Sequence, residues 1–312
     1  MVPAQNIDIL ENTLRKQGDL LDTLLMDRTS NKNIIWGTDS YVKYGRGFKT
    51  KDRIKVEYVT GAYHHLIQPR ASKSIDEQKQ RTRDKAEVFT PLRIVDQINK
   101  LIDWSGKLSV ADHKNWQDYV SQLMLEISCG EAPFIVSRYN PTSHTGKLIK
   151  LENRVGFLDR KLRVVSQYCN TPKEWLKWAK EAYKASYGYE WQGDNLLIAR
   201  ENLLYTLIDY YKEKFGRKPR LSVLREFAEI VSWNIFQMDG LKYVIPMSCK
   251  NRDFVIPVQT TFFDDDKFLR GTVLECNGCS DNNLYTHDGI YAKVMDWQVD
   301  KPIRFVDLLK NN

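Results

Sequence analysis

Apolar side chains recur at helical spacing over residues 7–27, where Ile7, Leu10, Leu14, Leu21 and Leu24–Leu25 predict one amphipathic helix. The next stretch, NIIWGTDSYVKYGRGF, is rich in Gly and Tyr and predicts only short strand-like pieces. Residues 71–87 are crowded with charge and predict a solvated helix or loop. A helix is expected from about Leu92, with Thr90 suited to its N-cap and Pro91 to its first turn. Leu123–Ser128 is a short apolar run that ends in a Cys-Gly turn. Ala185–Trp191 is a second run, followed by the helical LLIARENLLYTLIDYYKEKFG. Glu229–Phe236 leads through MDGL to a strand-like YVIPM. Strands alternating with long helices predict an α/β unit with a mostly parallel sheet. Beyond Pro246 the pattern becomes loop-rich, and no internal repeat is visible. Three regions follow: a helical and irregular segment 1–84, an α/β region 85–245 and a loop-rich region 246–312.

Composition narrows the class. Apolar residues make up 42% of the 312, with eight tryptophans, which suits a folded globular chain and excludes a disordered tail. No early apolar run resembles a signal peptide, and no uncharged run is long enough to span a bilayer, so a cytoplasmic protein without a membrane partner is expected. The five cysteines, an odd number, read as reduced thiols. A net charge of +7 is compatible with a polyanion. Within the charged stretch, Arg70, Lys73, Arg81 and Arg83 would meet phosphates if they lay beside a nucleic-acid groove; a solvated face is the simpler reading.

The chemistry concentrates in four places. In Met124-Leu-Glu-Ile-Ser-Cys-Gly-Glu-Ala-Pro-Phe134 a buried strand ends and a glycine permits a tight turn, the form of a crevice at the carboxyl end of a parallel strand. Glu190 stands at the end of the second strand, where a carboxylate can accept both hydroxyls of a ribose; capping of the next helix is the plainer alternative. Asp239 follows the third candidate strand, placed to accept from an adenine amino group or simply to form an Asp-Gly turn. Upstream lies Lys85-Ala-Glu-Val-Phe-Thr-Pro91, whose helix-initiating role is sufficient by itself.

In this order the four resemble the amino-terminal part of adenine-specific (N6) DNA methyltransferases, particularly the large methylases of bacterial and phage restriction–modification systems. The resemblance spans residues 85–245 by motifs, and more loosely RTSNKNIIWGTDSY and YAKVMDWQVDKPI. It implies a partial doubly wound, Rossmann-like methyltransferase fold with S-adenosyl-L-methionine as cofactor and DNA as partner. Phe89, Thr90 and Pro91 match the first cofactor motif. Glu126, Ser128, Cys129 and Gly130, with Pro133 and Phe134, match the glycine loop under the methionine part. Glu190 matches the ribose-binding acid, Trp191 the residue packed on the cofactor's adenine, and Asp239 the acid near its amino group.

These enzymes also carry an Asn/Asp-Pro-Pro-Tyr/Phe loop after a fourth strand, and no such tetrapeptide occurs here; Asn140-Pro141-Thr142 lacks the second proline and the aromatic. No catalytic residue is therefore assigned. A sheet of three strands would leave Leu123–Ser128 along an open edge, and the expectation is either a second polypeptide bearing the catalytic half or a truncated gene product. The alternatives are a non-catalytic DNA- or cofactor-binding relative, or another subunit of a restriction system. Cys276, Cys279, His287 and Cys249 are candidate zinc ligands, but only the Cys-x-x-Cys half is a regular pair and no metal is expected. Cys129 has no histidine at a recognisable spacing and is not expected to be a nucleophile, and His64-His65 reads as packing or surface.

Overall fold

Residues 193–215 form a helix enclosed on most sides, its apolar positions interrupted by the buried polar residues Asp194, Asn195, Arg200, Glu201 and Asn202. A computed structural model describes residues 14, 16, 19–85, 87–105, 115–143, 146–250 and 276–311. In chain order its elements are α1 (Leu20–Leu25), β1 (Met26–Asp27), β2 (Lys32–Asn33), α2 (Ile75–Lys85), α3 (Leu92–Ser105), α4 (Trp116–Ser121) and β3 (Met124–Glu126). There follow α5 (Phe157–Tyr168), α6 (Pro172–Lys184), β4 (Ser186–Glu190), α7 (Gly193–Phe215), α8 (Leu221–Asn234) and β5 (Ile235–Gln237). The last are α9 (Asn277–Ser280), β6 (Lys293–Asp296) and β7 (Lys301–Arg304).

The architecture is mixed α/β. A small parallel sheet of order β3-β4-β5 is flanked by helices. Leu125 stands opposite Tyr187, and Tyr189 opposite Phe236. The two-residue period of β4 sorts its side chains between two layers. Ser186 turns toward the helices, where its hydroxyl donates to Ala182 O at 2.7 Å. Tyr189 joins a small second core with Phe236, Met238, Ala292 and Val294, covered by the antiparallel β6–β7 hairpin. The main core gathers Trp175, Leu196, Leu203 and Phe227 with Trp36, Phe48 and Ile54 from the amino-terminal region, so that region packs into the same interior. Arg200, fully buried on α7, donates to the carbonyls of Leu24, Met26, Ser232 and Ile235 and ties α1, α8 and β5 together.

Several expectations change. Most of the helix expected over 7–27 lies outside the described residues; what is described of it as a continuous helix is α1. YVIPM is not a strand, because Tyr243 and Met247 adopt left-handed φ of 56° and 57°, and only Val244 bridges, to Tyr291. The apolar run Glu229–Phe236 is mostly the end of α8, with the strand confined to β5. Helices α5 and α6 were not anticipated, although Thr171-Pro-Lys-Glu174 is an N-cap signal and the Thr171 hydroxyl accepts the Glu174 N–H at 3.3 Å. No helix among the described residues is long and apolar enough to cross a membrane.

The charged stretch 71–87 is not simply a solvated face. Arg70, Lys73 and Arg81 are buried. Arg81 bonds Glu87 at 2.6 Å and Asp194 at 2.9 Å, Arg70 reaches Glu87 at 3.2 Å, and the Tyr41 hydroxyl donates to Asp194 at 2.8 Å. Arg70 and Arg81 are thus committed to carboxylates, Lys73 is buried with no hydrogen-bond partner on its Nζ among the described residues, and the exposed Arg83 is paired with Asp84 at 2.8 Å. Burial opposes charge on Asp194, but Arg81 and then Lys73 overcome it and hold its pKa below the usual range. Arg81→Met leaves the buried Asp194 carboxylate without its ion-pair partner and Glu87 with Arg70 alone, and the expected loss is about 3–5 kcal/mol of unfolding free energy in urea titration.

Candidate functional site

Both β3 and β4 end on a glutamate, and each carboxylate turns into the loop that follows β3. Glu126 accepts the Phe134 and Ile135 N–H groups at 3.2 and 3.0 Å. Glu190 accepts the N–H of Gly130 at 2.8 Å and of Gln192 at 3.0 Å. Between those anchors the loop passes through left-handed φ at Ser128 (47°), Gly130 (53°) and Ala132 (62°). A side chain in that region costs about 1–2 kcal/mol, so the conformation persists because the surrounding bonds fix it. Another is donated by Cys129 N–H to Tyr189 O at 2.8 Å. Gly130 has a second constraint: a Cβ there would stand 2.8 Å from the Phe89 ring. The Phe-Thr-Pro segment and the glycine loop are thus in direct contact, with Arg70 stacked 5.2 Å from the Phe89 ring centroid.

The result is an open cleft of about 830 Å³ that runs along β3, from Gln122 to Ile127, and reaches the carboxyl ends of β3 and β4. Its wall brings together Phe89, Thr90, Glu126, Ser128, Cys129, Gly130, Pro133, Phe134, Glu190 and Trp191 from three stretches of chain. Two expected residues lie outside the lining. Pro91 immediately precedes α3, its carbonyl accepting from the Ile94 and Val95 N–H groups. Asp239 closes its own turn, its carboxylate accepting the Leu241 and Lys242 N–H groups at 2.9 and 3.2 Å.

Sequence reasoning missed Ile98, Asn99 and Ile102 of α3, together with Gln122, Phe157 and Gln192, which also line the cleft. The i, i+4 pair Ile98 and Ile102 carried a signal, since it forms an apolar strip on α3 that stays partly exposed. Trp191 is held by a bond from its indole N–H to Gly37 O at 2.8 Å, and 36% of its surface remains exposed. That bond gives the NIIWGTDSY stretch a place at the site.

Burial pushes the Glu126 carboxyl well above its ordinary value, opposed by the two backbone donors, with Glu190 adding to the rise. Glu190 is raised for the same first reason and opposed by the Gln192 and Gly130 N–H groups. Burial also drives the Cys129 thiol far up, so this sulfur is not an activated nucleophile. The cleft thus offers a strained backbone loop, a buried carboxylate beside an aromatic ring, and an apolar wall. No protein-family model, curated protein or solved structure matches the chain.

Gly130→Val adds both a forbidden φ and a collision with Phe89. The expected outcome is a loss of about 2 kcal/mol or more in urea unfolding. For Glu190 the pH test has a definite sign. Its folded pKa lies above the unfolded one, so its contribution is most favourable at low pH and is lost as pH rises through the folded value. Stability of the wild type relative to Glu190→Gln is therefore expected to fall as pH rises from the unfolded carboxylate value and then level off, measured by unfolding across the acid range.

Proposed function

We propose that the cleft binds S-adenosyl-L-methionine and that the chain is the cofactor-binding part of a site-specific DNA adenine-N6 methyltransferase of the restriction–modification type. One observation carries the reading: Phe89–Thr90, Glu126–Gly130 and Glu190–Trp191, far apart in sequence, line one cleft. The parallel order β3-β4-β5, with the acid at the end of the middle strand, fits the first three strands of a doubly wound, Rossmann-like methyltransferase sheet. The volume lies within the range of about 300–1,000 Å³ usual for cofactor sites.

Each group then has a role. The Glu190 carboxylate keeps acceptor capacity beyond its two backbone donors and takes the ribose hydroxyls. Trp191 packs on the adenine. The loop Ser128-Cys129-Gly130, whose backbone is kept open by its glycine, lies under the methionine part, with Phe89 and Thr90 closing the other side. The cofactor's sulfonium supplies the methyl group and the reactivity, while the protein positions the reactants.

Transfer to DNA requires more than this chain displays. An adenine must leave the base stack to be reached, and the Asn-Pro-Pro-aromatic loop that receives it in such enzymes is absent from the sequence. We infer that a second polypeptide supplies it beside β3. Among the described residues that strand pairs only with β4; Leu125 on it and Leu123 and Ile127 flanking it, which also line the cleft, are 43%, 67% and 67% exposed. An open apolar strand edge is a template for another strand.

Calorimetric titration with S-adenosyl-L-methionine tests the cofactor reading. Saturable binding is expected, weakened about tenfold or more in Glu190→Ala, equivalent to at least about 1.4 kcal/mol. Absence of binding by a folded chain at millimolar ligand would sink it.

A further inference from the structure

Three sulfurs and one imidazole nitrogen converge beyond β5, far along the chain from the cleft loop. Cys249 Sγ, Cys276 Sγ and Cys279 Sγ stand 3.8, 3.5 and 3.7 Å from His287 Nδ1. The four atoms all lie within 4.8 Å of one another. Hydrogen bonding does not account for this cluster. A ring nitrogen carries one proton or one lone pair and serves one partner, whereas here three sulfurs surround it at nearly equal distance. Cross-linking does not account for it either, since the cysteines are all free thiols.

A tetrahedral cation does. Zinc–sulfur bonds of about 2.3 Å and zinc–nitrogen bonds of about 2.0–2.1 Å place sulfur and nitrogen about 3.5–3.6 Å apart along an edge of the tetrahedron. The observed separations fall close to that edge. Thiolate and imidazole donors in a four-ligand set favour Zn²⁺ over the oxygen-seeking Mg²⁺ and Ca²⁺.

The surrounding chain is shaped for the cluster. Cys276-Asn-Gly-Cys279 wraps as α9, with the Cys279 and Ser280 N–H groups donating to Cys276 O at 2.8 and 3.0 Å. A backbone donor also meets the Cys276 sulfur, from Asp288 N–H at 3.2 Å, a contact that favours the thiolate. Gly278 sits where a Cβ would fall 2.6 Å from both the backbone nitrogen and Nδ1 of His287. Any larger residue would push the histidine away from the sulfurs. Cys249 is brought in by the Val244–Tyr291 bridge and by Ile245 N–H donating to Ile290 O at 2.8 Å. Tyr291 in turn accepts the His287 N–H at 2.9 Å.

We propose that Cys249, Cys276, Cys279 and His287 bind one Zn²⁺ as a closed structural site. The chain itself fills all four positions, leaving none for water or substrate, so the ion fastens the chain and takes no part in a reaction. What it fastens is definite. Cys249 and Cys276 bracket residues 250–275, and a single ion fixes both ends of that intervening chain against the turn that carries His287.

The test is metal analysis of the full chain purified without chelator. About one zinc per chain is expected. Cys249→Ser and Cys279→Ser are expected to retain less than about a tenth of that, whereas Cys169→Ser, outside the cluster, retains it all. His287→Cys preserves four soft ligands and is expected to keep the metal. Because a serine variant can fail to fold, the wild-type chain is also refilled with Co²⁺. Sulfur-to-cobalt charge transfer with intense tetrahedral visible bands is expected, shifted in His287→Cys. Substoichiometric zinc together with no thiolate–cobalt bands would overturn the site, as would full zinc retention in both serine variants.

Discussion

The buried contact of Arg81 with Asp194 and Glu87 is the constraint on which the site's geometry depends. Asp194 belongs to the first turn of α7, the helix around which the core is built, and Glu87 lies two residues before Phe89. One guanidinium therefore locks the segment that ends in Phe-Thr-Pro to the helix that begins just after Glu190. Arg70 reinforces it through Glu87 and through its backbone N–H, which donates to Glu131 at 2.6 Å. With that segment fixed, the Phe89 ring lies over Gly130 and gives the cleft a second wall.

The glycine loop is held from the other side by Glu126 and Glu190. Both carboxylates spend acceptor capacity on backbone N–H groups, which keeps the loop in its left-handed conformation before any ligand arrives. Such preorganisation lowers the ordering cost of binding. It also explains why carboxyl groups whose burial opposes ionisation stand at this place: backbone donors offset part of the desolvation, and a ligand's hydroxyl groups would offset more.

How much of this was legible in the sequence differs from one feature to the next. The ends of β3 and β4 were, because a short apolar run closed by Glu or by Cys-Gly has a local cause. Helix α6 was legible too through its Thr171-Pro-Lys-Glu174 start, but was not read. The burial of Arg81 was not legible, since its partner Asp194 lies more than a hundred residues away and only the fold brings them together. Asp239 showed two readings in sequence; the structure places its carboxylate on its own turn and outside the cleft lining. The cysteine–histidine cluster stayed hidden for a spatial reason. Cys249 and His287 fall at irregular spacing about the Cys276–Cys279 pair, and the bridge from Val244 to Tyr291 closes the gap.

The most direct measurement of the central claim is a crystal structure of the chain with S-adenosylhomocysteine. The account predicts the ribose hydroxyls on the Glu190 carboxylate, the adenine against Trp191, and the amino-acid tail over the Ser128–Gly130 loop beneath Phe89. Ligand bound elsewhere, or a cleft that stays empty at saturating ligand, would contradict it.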